Sequence, residues 1–460
     1  MLKLVHPTNP RFQGAQKLHN PLPNEIPKVR YSVISFHFLF RKSLSYLCTS
    51  MNEYELLELP NGIRVLHKQI TDSKIAHIGV MLDIGSRDEL DNEQGLAHFW
   101  EHMAFKGTTK RKPFHIINRL ESLGGELNAY TTKEKICFYA SVLDIHMDKA
   151  VELLADITFN STFPEKQIER EKQVILEEMA MYRDTPEDSI QDDFDEQIFP
   201  NHSLGKNILG TEETVSSFLR DHFFEFLKRN LNTEKIILSS VGSYSASKLF
   251  KLAKKHLSEV PHKNHTAPRI QFHGYTPTRI ELRKPISQAH FAIGKPAFSL
   301  KDQNRIPFFF LINILGGPGM NSKLNLALRE KHGLVYGVDA NYSTYLETGQ
   351  LGIYFATDPK QLKKAQRLLI SEIESLKKKP LGHVQLHKAK QQIKGQLAMS
   401  EENKNAFMLM MAKSMLDLNK IPDINELFAR IDSLTAVQLQ TLAIDTLNIS
   451  DMSSLTYLPE

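Results

Sequence analysis

Hydrophobic and polar positions divide the chain into short alternating runs and longer runs of helical period, grouped in blocks. Residues 56–68 alternate on either side of Asn61-Gly62, a dipeptide suited to a tight hairpin turn. Residues 75–84 form a further apolar strand. Between about 94 and 105, Leu96, Phe99 and Met103 recur at i, i+3 and i+7, which predicts a helix with a core-facing stripe. Asp91, Asn92 and Glu93 offer caps and negative charge at its start, and Gly107 closes it. Helical patterns near 113–124 and 146–160 surround a strand at about 126–142, and a long helix is expected over 164–184, with Thr162 as its cap and Pro164 in its first turn. A strand near 236–241 and a helix to about 256 follow. The polar stretch 258–268 reads as a linker. Beyond it the order repeats, with strands near 270–296, helices near 302–330, strands near 335–357, then helices to the end. Ala76-His77 and Ala289-His290 fall in equivalent apolar strands, a faint echo of duplication. Strands grouped with helices, without strict βαβ alternation, give an α+β class with domains at 51–257 and 269–460.

The chemistry lies in the first helix of the first half. His98-Phe99-Trp100-Glu101-His102 is an H-x-x-E-H run. Its histidines are four apart and its glutamate three after the first, so all three project from one helical face. Two imidazoles on one face begin a zinc site, and a carboxylate beside them can move protons at a metal-activated water. The run is H-E-x-x-H inverted. Two surface histidines flanking a solvated glutamate is the bland alternative. A catalytic site needs a third protein ligand. On the 164–184 helix, Ile168, Glu171, Ile175, Glu178 and Tyr182 share one stripe, where two carboxylates interrupt an apolar face. Glu177 lies with Arg170, Gln173 and Val174 in a more polar sector. A carboxylate on a buried stripe is costly unless paired or metal-bound, which selects Glu178 as ligand and Glu171 as a supporting group behind it.

The run from Gly85-Ser86-Arg87-Asp88-Glu89 through Gly95 to Thr108 resembles the pitrilysin/insulinase family of inverted-motif zinc peptidases, in the branch that includes the mitochondrial processing peptidase. Collinear matches follow at 127–131, 168–178, 204–210 and 328–336, so the resemblance covers roughly residue 53 to the C-terminus. It implies two similar domains, each a largely antiparallel sheet covered by helices. It implies His98, His102 and Glu178 as ligands of one zinc ion and Glu101 as general base. Glu171 then completes the E-x6-E pair. Arg329 and Tyr336 resemble the family's Arg/Tyr pair, suited to gripping a peptide carbonyl or its oxyanion. The implied activity is that of a zinc metalloendopeptidase. Its substrate would lie extended along an edge strand at Asn128, Ala129 and Thr131. The competing reading is a non-catalytic partner subunit of the same fold. The expected assembly is a homodimer or a heterodimer with a related subunit.

The rest of the sequence refines this. The second half has no H-x-x-E-H, and the segment 321–330 is expected in the motif's place. Gly316-Gly317-Pro318-Gly319 lacks the P-loop context and reads as a substrate-contact loop or helix break. At 460 residues the chain exceeds one core, and 41% apolar with 24% charged residues is ordinary globular composition. A net charge of +4 gives no argument for nucleic acid. Residues 1–50 hold seven Lys/Arg against one acid, Glu25, and are expected to be a dispensable extension, either unstructured or lying upstream of a true start at Met51, rather than a presequence. Cys48 and Cys137 form no C-x-x-C, which points to a reducing compartment, with the cytoplasm expected. The absence of eighteen consecutive apolar residues argues against a transmembrane helix.

Overall fold

The computed structural model describes residues 54–265 and 267–460, so the expectations for residues 1–50 fall outside the described residues. Residues 54–460 form one compact unit. In its first half run β1 (Glu55–Glu58), β2 (Arg64–Gln69), β3 (Ile75–Leu82), α1 (Leu96–Met103), α2 (Pro113–Glu121), β4 (Glu126–Thr131) and β5 (Ile136–Leu143). Next come α3 (Met147–Phe159), α4 (Glu165–Arg183), α5 (Pro186–Ile198), α6 (Glu212–Ser217), α7 (Arg220–Asn230), β6 (Ile236–Gly242) and α8 (Ala246–Leu257). The second half runs β7 (Arg279–Lys284), β8 (Ala289–Ala297), α9 (Arg305–Gly316), a π-helical segment Asn325–Lys331, β9 (Val335–Thr344) and β10 (Gly349–Thr357). It ends with α10 (Leu362–Lys378), α11 (His383–Glu402), α12 (Lys404–Leu418), α13 (Ile424–Ser433), α14 (Ala436–Thr446) and β11 (Ser453–Pro459).

The sheets have order β1-β2-β6-β3-β5-β4 and β7-β11-β8-β10-β9. Pairing senses agree strand for strand. β2 is parallel to β6 as β7 is to β11, and the remaining equivalent pairs are antiparallel. Each half is therefore a largely antiparallel sheet with helices, and the echo between β3 and β8 marks equivalent central strands.

Two expectations are corrected. The single strand at 126–142 is a hairpin, because the polar run Thr132-Lys133-Glu134-Lys135 cannot continue a buried strand. The Thr132 hydroxyl instead accepts the Lys135 amide at 2.9 Å and closes the turn. The chain also does not end in helices. β11 enters the second sheet between β7 and β8, and its Tyr457 is fully buried. Its seven residues are too short and too rich in serine and threonine to stand out as a strand by period alone.

The halves exchange helices. α12, from the second half, lays Met408, Met411, Ala412 and Met415 on Leu66, Met81, Ile237 and Val241 of the first sheet. In return, Ile190, Phe194 and Ile198 of α5 pack on Ala292, Leu455 and Tyr457 of the second. A Cβ at Gly79 would lie 3.1 Å from the Met408 sulfur, so the central strand is bare where α12 crosses it. Buried charge reinforces the exchange: Lys135 reaches Asp83 and Asp417 at 2.8 Å each, and Arg87 joins Glu134 to Glu347. Arg269 in the connecting segment pairs with Asp83 and Asp88 at 2.9 and 2.8 Å. Among the described residues no helix is long and apolar enough to cross a membrane.

Because each sheet is covered by a helix of the other half, residues 54–257 alone would expose the apolar face under α12. That fragment is expected to aggregate or lack cooperative unfolding, and a soluble monomeric fragment with a single sharp melting transition would contradict the exchange as a stability requirement. In the intact chain, Met411→Ala should cost about 2–5 kcal/mol in a urea titration, as truncation of a buried methionine does.

Candidate metal centre

All eight residues of α1 are buried, so its two faces both need partners. Leu96, Phe99 and Met103 enter the first core together with Trp100. Phe99 meets Phe223 edge to face at 5.2 Å, and Trp100 meets Phe138 at 5.7 Å. These contacts fix the helix's rotation and turn His98, Glu101 and His102 toward α4.

The start of α1 is not capped by Asp91, Asn92 or Glu93, which form a separate 3-10 turn. Glu89 caps it: its carboxylate accepts the amides of Gly95 at 3.0 Å and Ala97 at 2.7 Å. The chain reaches that geometry through Gly95 at φ 94°, where a Cβ would stand 2.4 Å from the Leu209 carbonyl oxygen. Burial raises the Glu89 carboxyl well above its ordinary range, and the two amides oppose that.

Thr162 does not cap α4 either. Its amide and hydroxyl both go to the Gly107 carbonyl, at 3.1 and 3.3 Å, and Pro164 occupies the cap position. That tie holds the start of α4 to the segment leaving α1. Along α4, Ile168, Glu171 and Ile175 are buried, Glu178 and Tyr182 half-buried, and Glu177 exposed, as the stripe argument requires.

The three expected ligands converge. Glu178 Oε2 lies 3.9 Å from His98 Nε2 and 3.5 Å from His102 Nε2. Donor atoms of all three lie within 4.8 Å of one another, the single such group among the described residues. Both ring nitrogens of His98 and Oε1 of Glu178 are buried without a hydrogen-bond partner. Buried polar atoms left in this state are costly, and a divalent cation between the two side chains would take one ring nitrogen of His98 and a carboxylate oxygen of Glu178 as ligands. The donor set therefore fits a metal ion. Burial, and then His102, depress the His98 pKa well below the usual imidazole value, which favours the neutral ring with one nitrogen lone pair free. Burial raises Glu178.

Glu101 sits beside the set, 6% exposed. Burial raises its carboxyl, against a 2.6 Å hydrogen bond donated by the Thr131 hydroxyl. Glu171 stands behind His102, its Oε1 3.0 Å from Nδ1. Burial alone would raise Glu171, but hydrogen bonds from His102 and Lys106 outweigh it and hold the carboxyl low.

The other expected site residues are placed as follows. Asn128 and Ala129 are half-buried on β4, the edge strand beside β5. The hydroxyl of Thr131 on the same strand is committed to Glu101, so only its backbone is offered to a ligand. Arg329 lies on the π-helical segment and Tyr336 on β9, the edge of the second sheet. The pair is brought together, with the guanidinium carbon 5.4 Å from the exposed phenol ring. Element order corrects the counterpart of α1: α9 follows β8 as α1 follows β3, so residues 321–330 do not hold the motif's place. α9 carries no His, Asp or Glu.

Sequence reasoning missed Lys106, 2.7 Å from Glu171 Oε2, and the role of Thr131. It also missed a cavity of about 270 Å³ past Glu178, lined by Tyr182, Asp192, Asn207 and Glu212. Asp192 there is pushed up to about 6 by burial. The acid cluster Asp192-Asp193-x-Asp195 was the only available signal.

Two imidazoles and a carboxylate whose donor atoms lie within 4.8 Å of one another could hold one metal ion, with a second buried carboxylate beside them. The family model described as Insulinase (Peptidase family M16) matches residues 64–212, and the one described as Peptidase M16 inactive domain matches 217–393. The uncharacterized zinc protease YmxG of Bacillus subtilis is 35% identical over 381 residues, covering 83% of this chain and 91% of its own. An uncharacterized zinc protease of Mycobacterium leprae is 30% identical, over 85% of this chain and 88% of its own. A protease from Helicobacter pylori shares the fold at a TM-score of 0.83 and 20% identity, over 88% of this chain and 99% of the other. A peptidase M16 inactive domain from Pseudomonas fluorescens does so at 0.82 and 18%, over 89% and 98%. The chain belongs to peptidase family M16, the insulinase family.

Proposed function

We propose that the chain is a zinc-dependent metalloendopeptidase acting on peptides or unfolded segments. His98, His102 and Glu178 hold the zinc and Glu101 is the general base. The observation that carries this reading is the convergence of buried, unpartnered donors on His98 and Glu178 with a second carboxylate beside them. Bound there, the ion supplies Lewis acidity toward water and the scissile carbonyl. Glu101 takes the proton of the attacking water and delivers it to the departing amine. Its burial strengthens it as a base. Thr131 fixes its Oε2, which leaves Oε1 for proton transfer. The substrate pairs with the edge of β4, offering its backbone to Asn128 and Ala129. Arg329 and Tyr336 grip a substrate carbonyl from the second half, and the working unit is a homodimer or a pair with a related subunit.

Elemental analysis of the purified chain should find about one zinc per chain, as three-ligand catalytic sites hold. His98→Ala and Glu178→Gln should lose it. Full retention in Glu178→Gln would remove it as ligand. Glu101→Gln should keep the zinc and the fold while turnover of a fluorogenic peptide drops by about 10²–10⁴. Near-wild-type cleavage by that variant would remove Glu101 as the general base, and no cleavage by the wild type would favour the non-catalytic partner reading. Arg329→Ala and Tyr336→Phe should each slow turnover with zinc content unchanged, and wild-type rates in both would dismiss the grip.

A further inference from the structure

The two imidazoles of the metal centre are held differently. His98 has no hydrogen-bond partner for either ring nitrogen. His102 turns Nε2 toward Glu178 and Nδ1 toward Glu171. Glu171 uses its oxygens separately: Oε1 meets His102 Nδ1 at 3.0 Å and Oε2 meets Lys106 Nζ at 2.7 Å. Lys106 can reach because the chain keeps turning after α1. Phe105 donates to the His102 carbonyl at 3.3 Å and Lys106 to the Met103 carbonyl at 3.0 Å. One turn beyond His102, Lys106 lies on the same side. The glutamate side chain is 5% exposed and the lysine 24%, so the pair is shielded from solvent screening.

We propose that Lys106 is a positioning residue of the metal centre, acting through Glu171 on His102. The ammonium fixes the rotation of the Glu171 carboxylate, so that Oε1 accepts the Nδ1 proton. A proton held on Nδ1 leaves the lone pair of Nε2 pointing at the ion and makes the ring a stronger donor. Without the ammonium, the carboxylate could turn away or repel the ligand carboxylate of Glu178 one heptad along α4. The relay Lys106–Glu171–His102 thus supports the one imidazole whose outer nitrogen has a partner. This inference rests on His102 being a zinc ligand.

The test measures zinc affinity of the full chain by competition with a chromophoric chelator, alongside the melting temperature of the metal-free protein. Lys106→Met should weaken zinc binding about 10–100-fold, the loss seen when a ligating histidine loses its outer partner. Lys106→Arg, which keeps the charge, should restore most of it. In a Glu171→Gln background, Lys106→Met should cost little more, because the two act in series. Equal losses in both backgrounds would overturn the relay. So would unchanged affinity in Lys106→Met with a lowered metal-free melting temperature, the signature of a purely structural ion pair. If the wild type bound no zinc, the zinc-site reading would fall and the relay with it. Wild-type zinc binding that ignores Lys106 would remove the relay alone.

Discussion

The architecture of the first half is organised around one unfavourable arrangement: two imidazoles and three carboxylates buried between α1 and α4. Five titratable groups drawn out of water repel or desolvate one another unless something compensates each. Glu101 has Thr131, and Glu171 has Lys106 and His102. His98 and one oxygen of Glu178 have no hydrogen-bond partner among the described residues. That residual deficit is what a cation corrects. It also explains why the surroundings are so firmly built. Glu89 locks the start of α1, Thr162 ties α4 to Gly107, and an aromatic cluster fixes the rotation of α1. A site that stores desolvated charge is held only by a frame that cannot relax around it.

The duplicated half shows what the same frame becomes without that demand. α9 occupies the position of α1 and is apolar almost throughout, with Phe308, Phe310, Leu311 and Ile312 buried. No carboxylate needs compensation there, and none of its residues could bind a metal. The exchange of α5 and α12 makes the two halves dependent on each other all the same. The half without the histidine motif supplies α12 to the outer face of β3 and β6, the sheet on whose other face α1 and the candidate metal donors lie. It is thereby retained as a structural necessity of the half that carries the site.

The sequence was most informative where one helical face decided the matter. The spacing of His98, Glu101 and His102, and the stripe joining Ile168, Glu171, Ile175 and Glu178, could be read because burial follows a 3.6-residue period. Features that depend on distant residues were not legible. Glu89 caps a helix from six residues upstream, outside the usual capping window, so the nearer acids Asp91 and Glu93 drew the assignment. Thr131 was expected to face substrate because its strand is an edge, yet its hydroxyl belongs to Glu101 on another element. Lys106 follows the helix with no local signal of a partner, and only the crossing of α1 and α4 gives it Glu171. β11 was lost because a short strand of serines and threonines has no helical or strongly alternating signature. The helix exchange had no local signal, since a methionine-rich face on α12 states that it will be buried but not against which sheet.

The open edges connect the two halves to one task. β4 and β9 are equivalent edge strands, each closed on one side by its hairpin partner. Unpaired strand edges invite pairing with another chain, and proteins usually blunt them. Here each edge runs beside residues of the proposed site. On β4, Thr131 hydrogen-bonds the buried carboxylate beside the metal donors, so a segment pairing with β4 would be registered against Glu101 by the same backbone that orients it. On β9, the phenol of Tyr336 is exposed at the strand's start, under the guanidinium of Arg329. Duplication has thus produced two copies of one exposed edge. In one, the neighbouring helix keeps buried charge. In the other, that helix is apolar, and Arg329 and Tyr336 lie on the π-helical segment and the strand beside it. A fold that presented both edges for peptide contact would need only one of them to hold a metal.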